Sequence, residues 1–284
     1  VSRQIATLEA EVGTTLVRRV PQGAVLTDAG RLLVEHGTAV LARLSEAEAE
    51  LRALLGLQGG RVRLASFASA ASSIVPRAIV AFRDLYPAVE LSVAMADPVD
   101  SMPRLRAGEL DLALSHDPTW FAAGQEGLEF VHLFDDPMYA ALPVAHALAD
   151  VASLSLSDLA DEPWMLGTTA SCPDSRLFRS ACLEAGFEPR IALQNDDYSA
   201  ILGFVASGFG VALIPEMVTR VIRDDIVIRR LEPPPPPRPI LVAVPGGYRP
   251  PAVAAMIDVL RAVSDTWVAD RAPLAEDLVS HAAR

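Results

Sequence analysis

Three acidic doublets, Asp135-Asp136, Asp196-Asp197 and Asp224-Asp225, are the clearest residues whose type and spacing could do chemistry. Paired carboxylates can divide acid and base work across a scissile bond. No doublet here has an evident partner acid or nucleophile, and charged doublets at the ends of elements ordinarily meet solvent. The five histidines, His36, His116, His132, His146 and His281, show neither H-x-x-x-H nor H-E-x-x-H spacing, so no metal site is expected. All 24 basic residues are Arg, which removes Lys as Schiff base, phosphate clamp or activator of a serine. No G-x-S-x-G elbow occurs. Gly208-Phe209-Gly210 opens like a dinucleotide fingerprint, but it follows a helical pattern rather than a strand and reads as a turn. No catalytic residue, metal or cofactor is expected, and an enzyme is the weakest of the readings.

Ligand binding is the stronger expectation, and it depends on the elements that would hold the site. After Gly59-Gly60, Val62 and Leu64 alternate with Arg61 and Arg63 as a strand, and small residues then open a helix toward Ile79, Phe82 and Leu85. VELSVAM is a second strand, VDSMPRLRAGEL a second helix and DLALSH a third strand. The pattern continues with strands at 138–143, 164–167, 190–194, 211–214 and 226–230. Between them lie a helical turn at 157–160 and helices at 175–185 and 200–206. Five prolines, 233–237, make a stiff spacer before a strand at 240–244 and a helix at 252–268. Strands alternating with helices predict parallel sheets covered on both faces. The order implies two α/β lobes, 61–136 with 238–269 and 137–237, and a ligand sits between such lobes at strand ends and helix N-termini.

That rule selects Ser66, Phe67, Ser69 and Ala70 after the first strand, Pro98 after the second, and Ser115 and His116 after the third. From the other lobe it selects Thr168, Cys172, Pro173 and Asp174 in the first strand-to-helix loop, with Asn195 and Asp196 at a later strand end. Each has a plainer role available: Ser69 and Thr168 as helix caps, Cys172 as an inert small residue, His116 as a solvated loop residue. Taken together, an Asp, several hydroxyls and Phe67 suit a small polar or amine-bearing organic ligand better than a simple dicarboxylate.

The chain of 284 residues exceeds the usual single-domain size, and 51% hydrophobic content excludes a largely disordered protein. The formal net charge is -12, yet residues 1–58 carry six Arg against seven acids, so the excess acid lies elsewhere and a local basic face is open to that segment. Cys172 and Cys182 do not make a disulfide framework, which fits a reducing cytoplasm. The longest uncharged run, 198–215, is too short and too broken by Gly and Ser for a membrane span, and no signal peptide is read.

At the front, Val1, Ile5, Leu8 and Val12 share one helical face, leaving Ser2, Arg3, Gln4 and Thr7 on others, where they suit phosphates and base edges. Gly13 stops that helix, Arg18 and Arg19 enter a hairpin turning at Pro21-Gln22-Gly23, and Thr27 can cap the next helix. That helix carries Leu33, Gly37, Val40, Leu44, Ala47, Leu51 and Leu54 at alternating spacings of four and three, a heptad seam that needs a partner. An ordinary core helix is the plainer alternative; a self-pairing connector between unlike domains is favoured.

The pieces S-R-Q-I, L-E-x-E-x-G-x-x-L, R-R and L-T-x-A-G-R-x-L, in that order within residues 2–33, resemble the second half of the winged helix-turn-helix of LysR-type bacterial transcriptional regulators. LRAGELDLALS and VASGFGVALIPEM resemble stretches of the same family's sensory half, and the likeness spans about residues 1 to 270. It implies an α/β, two-lobed, periplasmic-binding-protein-like sensory half, preceded by a partial winged helix-turn-helix and a long dimerisation helix. The expected division is 1–26 DNA-binding, 27–58 linker and dimerisation through Leu33, Val40, Leu44, Leu51 and Leu54, 59–270 effector-binding, and 271–284 a frayed tail. The first helices of the winged domain and the start of the recognition helix are expected to be missing, as in an N-terminally truncated member. In the full-length parent Ser2, Arg3, Gln4 and Thr7 would meet a double-stranded operator and Arg18 and Arg19 its phosphates. Ser69 matches a hydroxyl position that the family uses for effectors; Pro98 matches one that often carries Ser or Thr, where proline has nothing to donate. The implied protein is a cytoplasmic homodimer or homotetramer responding to a small organic effector. The alternative is a stand-alone small-molecule-binding dimer that has lost DNA binding.

Overall fold

The computed structural model describes residues 2–20, 23–54, 59–117, 127–166, 173–220 and 223–271. Helix α1 (Ser2–Val12), strands β1 (Val17–Val20) and β2 (Gly23–Leu26) and helix α2 (Asp28–Leu54) come first. Glu9 ties α1 to the hairpin: Val17 and Leu16 donate their N–H groups to its Oε1 at 3.0 and 2.7 Å, which holds its carboxyl below the usual range. Thr27 caps α2 as expected, its Oγ1 accepting from Gly30 N at 3.0 Å and donating to Thr15 O at 2.7 Å. A Cβ on Gly30 would overlap the Leu16 carbonyl, so glycine is what lets the helix close on the hairpin. Along the seam Leu33 is half-buried, whereas Val40 and Leu44 are 67% and 58% exposed. The side chains of Leu51 and Leu54 lie outside the described residues.

The first lobe runs through β3 (Gly60–Ser66), α3 (Ala68–Ala71), α4 (Ile74–Leu85), β4 (Val89–Met95), α5 (Pro98–Arg106), β5 (Leu112–Ser115) and β6 (Leu128–Asp136). The second holds β7 (Met138–Pro143), β8 (Ser153–Leu154), a 3-10 turn (Leu156–Leu159), β9 (Pro163–Leu166), α6 (Pro173–Glu184), β10 (Arg190–Gln194) and α7 (Tyr198–Ala206). It ends with β11 (Val211–Pro215), α8 (Glu216–Thr219) and β12 (Ile226–Leu231) before the chain returns as β13 (Arg238–Pro245) and α9 (Pro251–Ala269). Among the described residues the sheets are ordered β4-β3-β5-β13-β6 and β10-β9-β11-β7-β12-β8.

Each sheet is packed on both faces. Val62, Leu64, Phe82, Val242, Met256 and Trp267 form one core of the first lobe, and Ala65, Met102, Leu105 and Ala113 its smaller opposite face. Trp164, Phe178, Cys182 and Leu213 fill one side of the second sheet, and Met165, Ile201, Val205 and Ile214 the other. Such burial of Val, Leu and Ile runs between amphipathic helices is the main force holding either lobe.

Three expectations are corrected. The sheets are mixed rather than parallel: β13 runs antiparallel to β5 and β6, and β7 antiparallel to β11 and β12. Strands that follow a crossing between lobes enter the new sheet head-to-tail against it. Strand β6 was not foreseen because His132 and Asp135-Asp136 interrupt its apolar alternation. The tail does not fray from its first residue: Arg271 packs 5.0 Å from the Phe134 ring, contacts Glu216 Oε2 at 2.7 Å and donates to Asp135 O at 2.8 Å. Residues 272–284 lie outside the described residues. No described helix is long and apolar enough to cross a membrane.

Candidate functional site

The lobes face each other across an open cleft. Its first-lobe wall holds Phe67, Ala68 and Ser69 at the β3–α3 joint, Asp97 ahead of α5, His116 after β5, and Arg238 at the head of β13. Its second-lobe wall holds Asp174 in the first turn of α6, Asn195 and Asp196 after β10, and Tyr198 at the start of α7. Apolar groups between them include Met165, Leu166, Phe178, Ile201 and Leu213. Strand ends and helix N-termini therefore converge from both sides, as a two-lobed α/β arrangement dictates.

Arg238 is the centre of the site's electrostatics. It is 1% exposed, and its Nε donates to Asp136 Oδ2 at 2.9 Å, its Nη1 to Asp174 Oδ2 at 3.0 Å and its Nη2 to Ser69 Oγ at 2.7 Å. Asp136, fully buried at the end of β6, also accepts from Met217 N at 3.2 Å. Burial works against the guanidinium charge, but Asp174 and Asp136 overcome it and raise its pKa. Asp174 additionally accepts from Tyr198 OH at 2.7 Å, and its Oδ1 lies 3.2 Å from His116 Nδ1. Burial would raise the Asp174 carboxyl, yet Arg238, His116 and Tyr198 together hold it well below the usual carboxylate range.

These contacts join the lobes. Arg238, His116 and Ser69 belong to the first sheet's lobe, Asp174 and Tyr198 to the second's. A second bridge, Arg176 to Asp117 at 2.7 Å, also joins the lobes, here with the arginine on the second lobe. His116 is 5% exposed and stacks edge-on against Phe67 at 4.5 Å, so the plainer expectation of a solvated loop histidine is corrected.

Of the residues expected here, the fold brings Phe67, Ser69, His116, Asp174, Asn195 and Asp196 together. Ser66, Ala70, Pro98 and Ser115 are corrected to positions behind the wall. Ser66 donates its hydroxyl to Phe67 O, Ser115 Oγ accepts from Asp117 N, and Ala70 and Pro98 are buried in packing. Side chains alternate about the chain at these joints, so choosing a run of neighbours necessarily includes inward-facing ones. Thr168 and Cys172 lie outside the described residues, as does the Pro173 side chain. Arg238, Asp97 and Tyr198 were missed. Arg238 had a signal, as the single charge in an otherwise apolar strand, RPILVAVP; Asp97 could have been found as the residue before a helix-opening proline.

At the front of the chain Gln4, Thr7, Arg18 and Arg19 are all exposed, on α1 and β1. The side chains of Ser2 and Arg3 lie outside the described residues. Of the acidic doublets, Asp136 and Asp196 belong to the site, whereas Asp135 meets His132 at 2.9 Å, Asp197 caps α7 by accepting from Ser199 N at 2.8 Å, and Asp225 pairs with Arg223 at 2.8 Å.

Comparison with known proteins agrees with this architecture. Residues 55–265 match the LysR substrate binding domain, and residues 1–31 match the bacterial regulatory helix-turn-helix protein, lysR family. The chain is 28% identical over 233 residues to the transcriptional regulator AlsR of Bacillus subtilis, covering 81% of this chain and 76% of AlsR. It is 31% identical over 263 residues to the protein named "Probable HTH-type transcriptional regulator LrrA" of Synechococcus elongatus, covering 92% and 86%. A full-length OxyR variant from Pseudomonas aeruginosa shares the fold with a TM-score of 0.72 at 22% identity, covering 92% of this chain and 87% of that one. A sequence-wide match of this extent, over both the helix–hairpin–helix front and the two-lobed remainder, makes the chain a member of the LysR family of bacterial transcriptional regulators.

Proposed function

We propose that this LysR-type regulator senses a small organic effector between its lobes and transmits the resulting lobe angle to DNA-reading heads through α2. The observation that carries the reading is the interlobe contact of Asp174 with Arg238, set beside Ser69 and His116 in a cleft to which both lobes contribute polar groups. A ligand entering there competes with, or completes, contacts that fix the angle between lobes. It shifts the assembly only so far as it prefers one angle over the other.

Under this reading residues 1–26 contact DNA, 27–58 link and dimerise, and 59–270 sense. Ser2, Arg3, Gln4 and Thr7 face base edges in the major groove, and Arg18 and Arg19 of the hairpin meet phosphates. Leu33, Val40, Leu44, Leu51 and Leu54 form a seam with a second copy, and pairs of dimers give a tetramer. The exposure of Val40 and Leu44 supports this, since large apolar side chains on one helical stripe are stabilised by covering them. The protein works in the cytoplasm, where its DNA is, and binds without turnover.

The test uses full-length protein mixed with fragmented genomic DNA from its host, with the retained fragments sequenced. Enrichment of fragments bearing an inverted repeat, lost in Arg3→Ala, is the expected result. Retention of no DNA by either protein would instead favour the stand-alone small-molecule-binding dimer that has lost DNA binding.

A further inference from the structure

We propose that the ligand of this cleft is a small organic cation, a protonated amine on an apolar body, seated beside Asp97 and Asp196 with His116 and the Phe67 ring next to it. The inference rests on the effector-cleft reading above and deepens it.

Charge accounting within the cleft leads there. Among the described residues its lining carries Asp97, Asp174 and Asp196 against one arginine, Arg238. Arg238 is buried and already engaged by Asp136, Asp174 and Ser69, so a carboxylate arriving from solvent finds it committed. Arg176 is held by Asp117. An anion would therefore meet acidic groups before it met a cation, at a like-charge cost.

Asp97 is placed to be used. It precedes α5 at the capping position but makes no side-chain cap to that helix. Desolvation pushes its carboxyl up, and Asp196, Asp100 and Asp174 push the same way against His116. A bound ammonium relieves this arrangement directly, because a cation beside these carboxylates offsets the repulsion among them.

The buried part of the wall points the same way. Asp174 is already met by Arg238 and Tyr198, and its Oδ1 lies 3.2 Å from Nδ1 of the buried His116, so these cleft groups are engaged with one another and not with an arriving anion. Ile201 and Leu213, with the Phe67 ring, give the apolar body of the ligand its walls.

The experiment is thermal melting of the full chain at neutral pH with matched probes: benzylamine, benzyl alcohol and benzoate, then phenethylamine and phenylacetate. The amines are expected to raise the melting temperature in a saturable way, the acids to leave it unchanged, and the alcohol to act weakly. Asp97→Asn and Asp196→Asn are each expected to weaken the amine effect at least tenfold in midpoint concentration, while their ligand-free melting and circular dichroism report an intact fold. Stabilisation by benzoate or phenylacetate but not by the amines would overturn the charge assignment and leave the effector cleft standing. Amine stabilisation that persists unchanged in both variants would overturn it too, placing the amine elsewhere on a chain of net charge -12. No shift from any probe would overturn the proposal and count against the effector-cleft reading as well.

Discussion

Arg238 Nη1 lies 3.0 Å from Asp174 Oδ2, although the two residues belong to different lobes and are 64 positions apart in the chain. The arginine side chain is 1% exposed and the aspartate's 13%, so this ion pair is shielded from solvent and salt far more than a surface pair would be. Removing Asp174 leaves the buried Arg238 with Asp136 as its remaining counter-charge, so the loss belongs at the low end of the about 3–5 kcal/mol typical of breaking a buried pair. Asp174→Asn is accordingly expected to destabilise the folded chain by about 3 kcal/mol in urea titration. Tyr198→Phe, which removes a hydrogen bond to the same oxygen, should cost about 1 kcal/mol. Combining Asp174→Asn with Arg238→Met tests the pairing: strictly additive losses would show that the residues do not interact.

The pH dependence has a defined sign. Asp174 is held well below the usual carboxylate range in the folded chain. It therefore contributes stability that is present above the unfolded value, about 3.9, and is lost as pH falls below it. Asp97 is shifted the other way, chiefly by desolvation, so it costs stability as pH rises through and beyond that same value. Melting temperature should be highest in the mildly acidic range and decline below about pH 4. Asp174→Asn should remove much of the acid decline, and Asp97→Asn should flatten the mild-acid rise. Melting curves of wild type and Asp174→Asn that stay parallel from pH 5 to pH 3, about one unit either side of the unfolded value, would contradict the assignment.

Much of the architecture was legible before any coordinates because it rests on local signals. VELSVAM and the 138–143 run became β4 and β7 with the same limits, and Thr27 caps α2 as its hydroxyl type and place suggested. The cleft was legible only in part. Strand-to-helix joints are visible as composition changes, which is why Phe67, Ser69, His116 and Asp174 were selected correctly as neighbours in space. The partner that organises them was not: Arg238 reaches Asp136 and Ser69 across 102 and 169 residues, and nothing local to RPILVAVP states which carboxylates it will meet. Long-range charge pairing is decided by how the chain recrosses between lobes, the same crossing that turned the expected parallel sheets into mixed ones.

Two glycines predict opposite effects of the same substitution. A Cβ on Gly210 would overlap the Pro163 carbonyl, where β11 and β9 pair through Val211 and Trp164. Backbone must then move, so Gly210→Ala should destabilise by at least about 1–3 kcal/mol. Gly203 lies inside α7 with nothing within 4 Å of a Cβ, and Gly203→Ala should stabilise by about 0.5–1 kcal/mol through reduced chain entropy. Denaturant midpoints of the two variants falling on the same side of wild type would refute this packing.

The connector helix makes a separate claim about assembly. Leu44, 58% exposed in one chain, is placed in the seam against a second copy. Leu44→Glu should shift the dimer toward monomer by about tenfold or more, since a charge in a heptad core opposes pairing. Light scattering across a dilution series reads this directly, and an unchanged dimer would move the interface off α2.

The account's central claim is that the cleft governs how the protein holds DNA, and one comparison tests it most directly. Wild type and Asp174→Asn, each full length, are titrated onto an operator fragment recovered by genomic enrichment, and both affinity and the length of protected DNA are measured. Asp174 contacts Arg238, Tyr198 and His116, none of which is proposed to contact DNA. Coupling of ordinary size predicts a change of about 5- to 150-fold in affinity, or a protected region of different length. Identical affinity and an identical footprint, with solution scattering showing that the variant's lobes have moved apart, would contradict the claim.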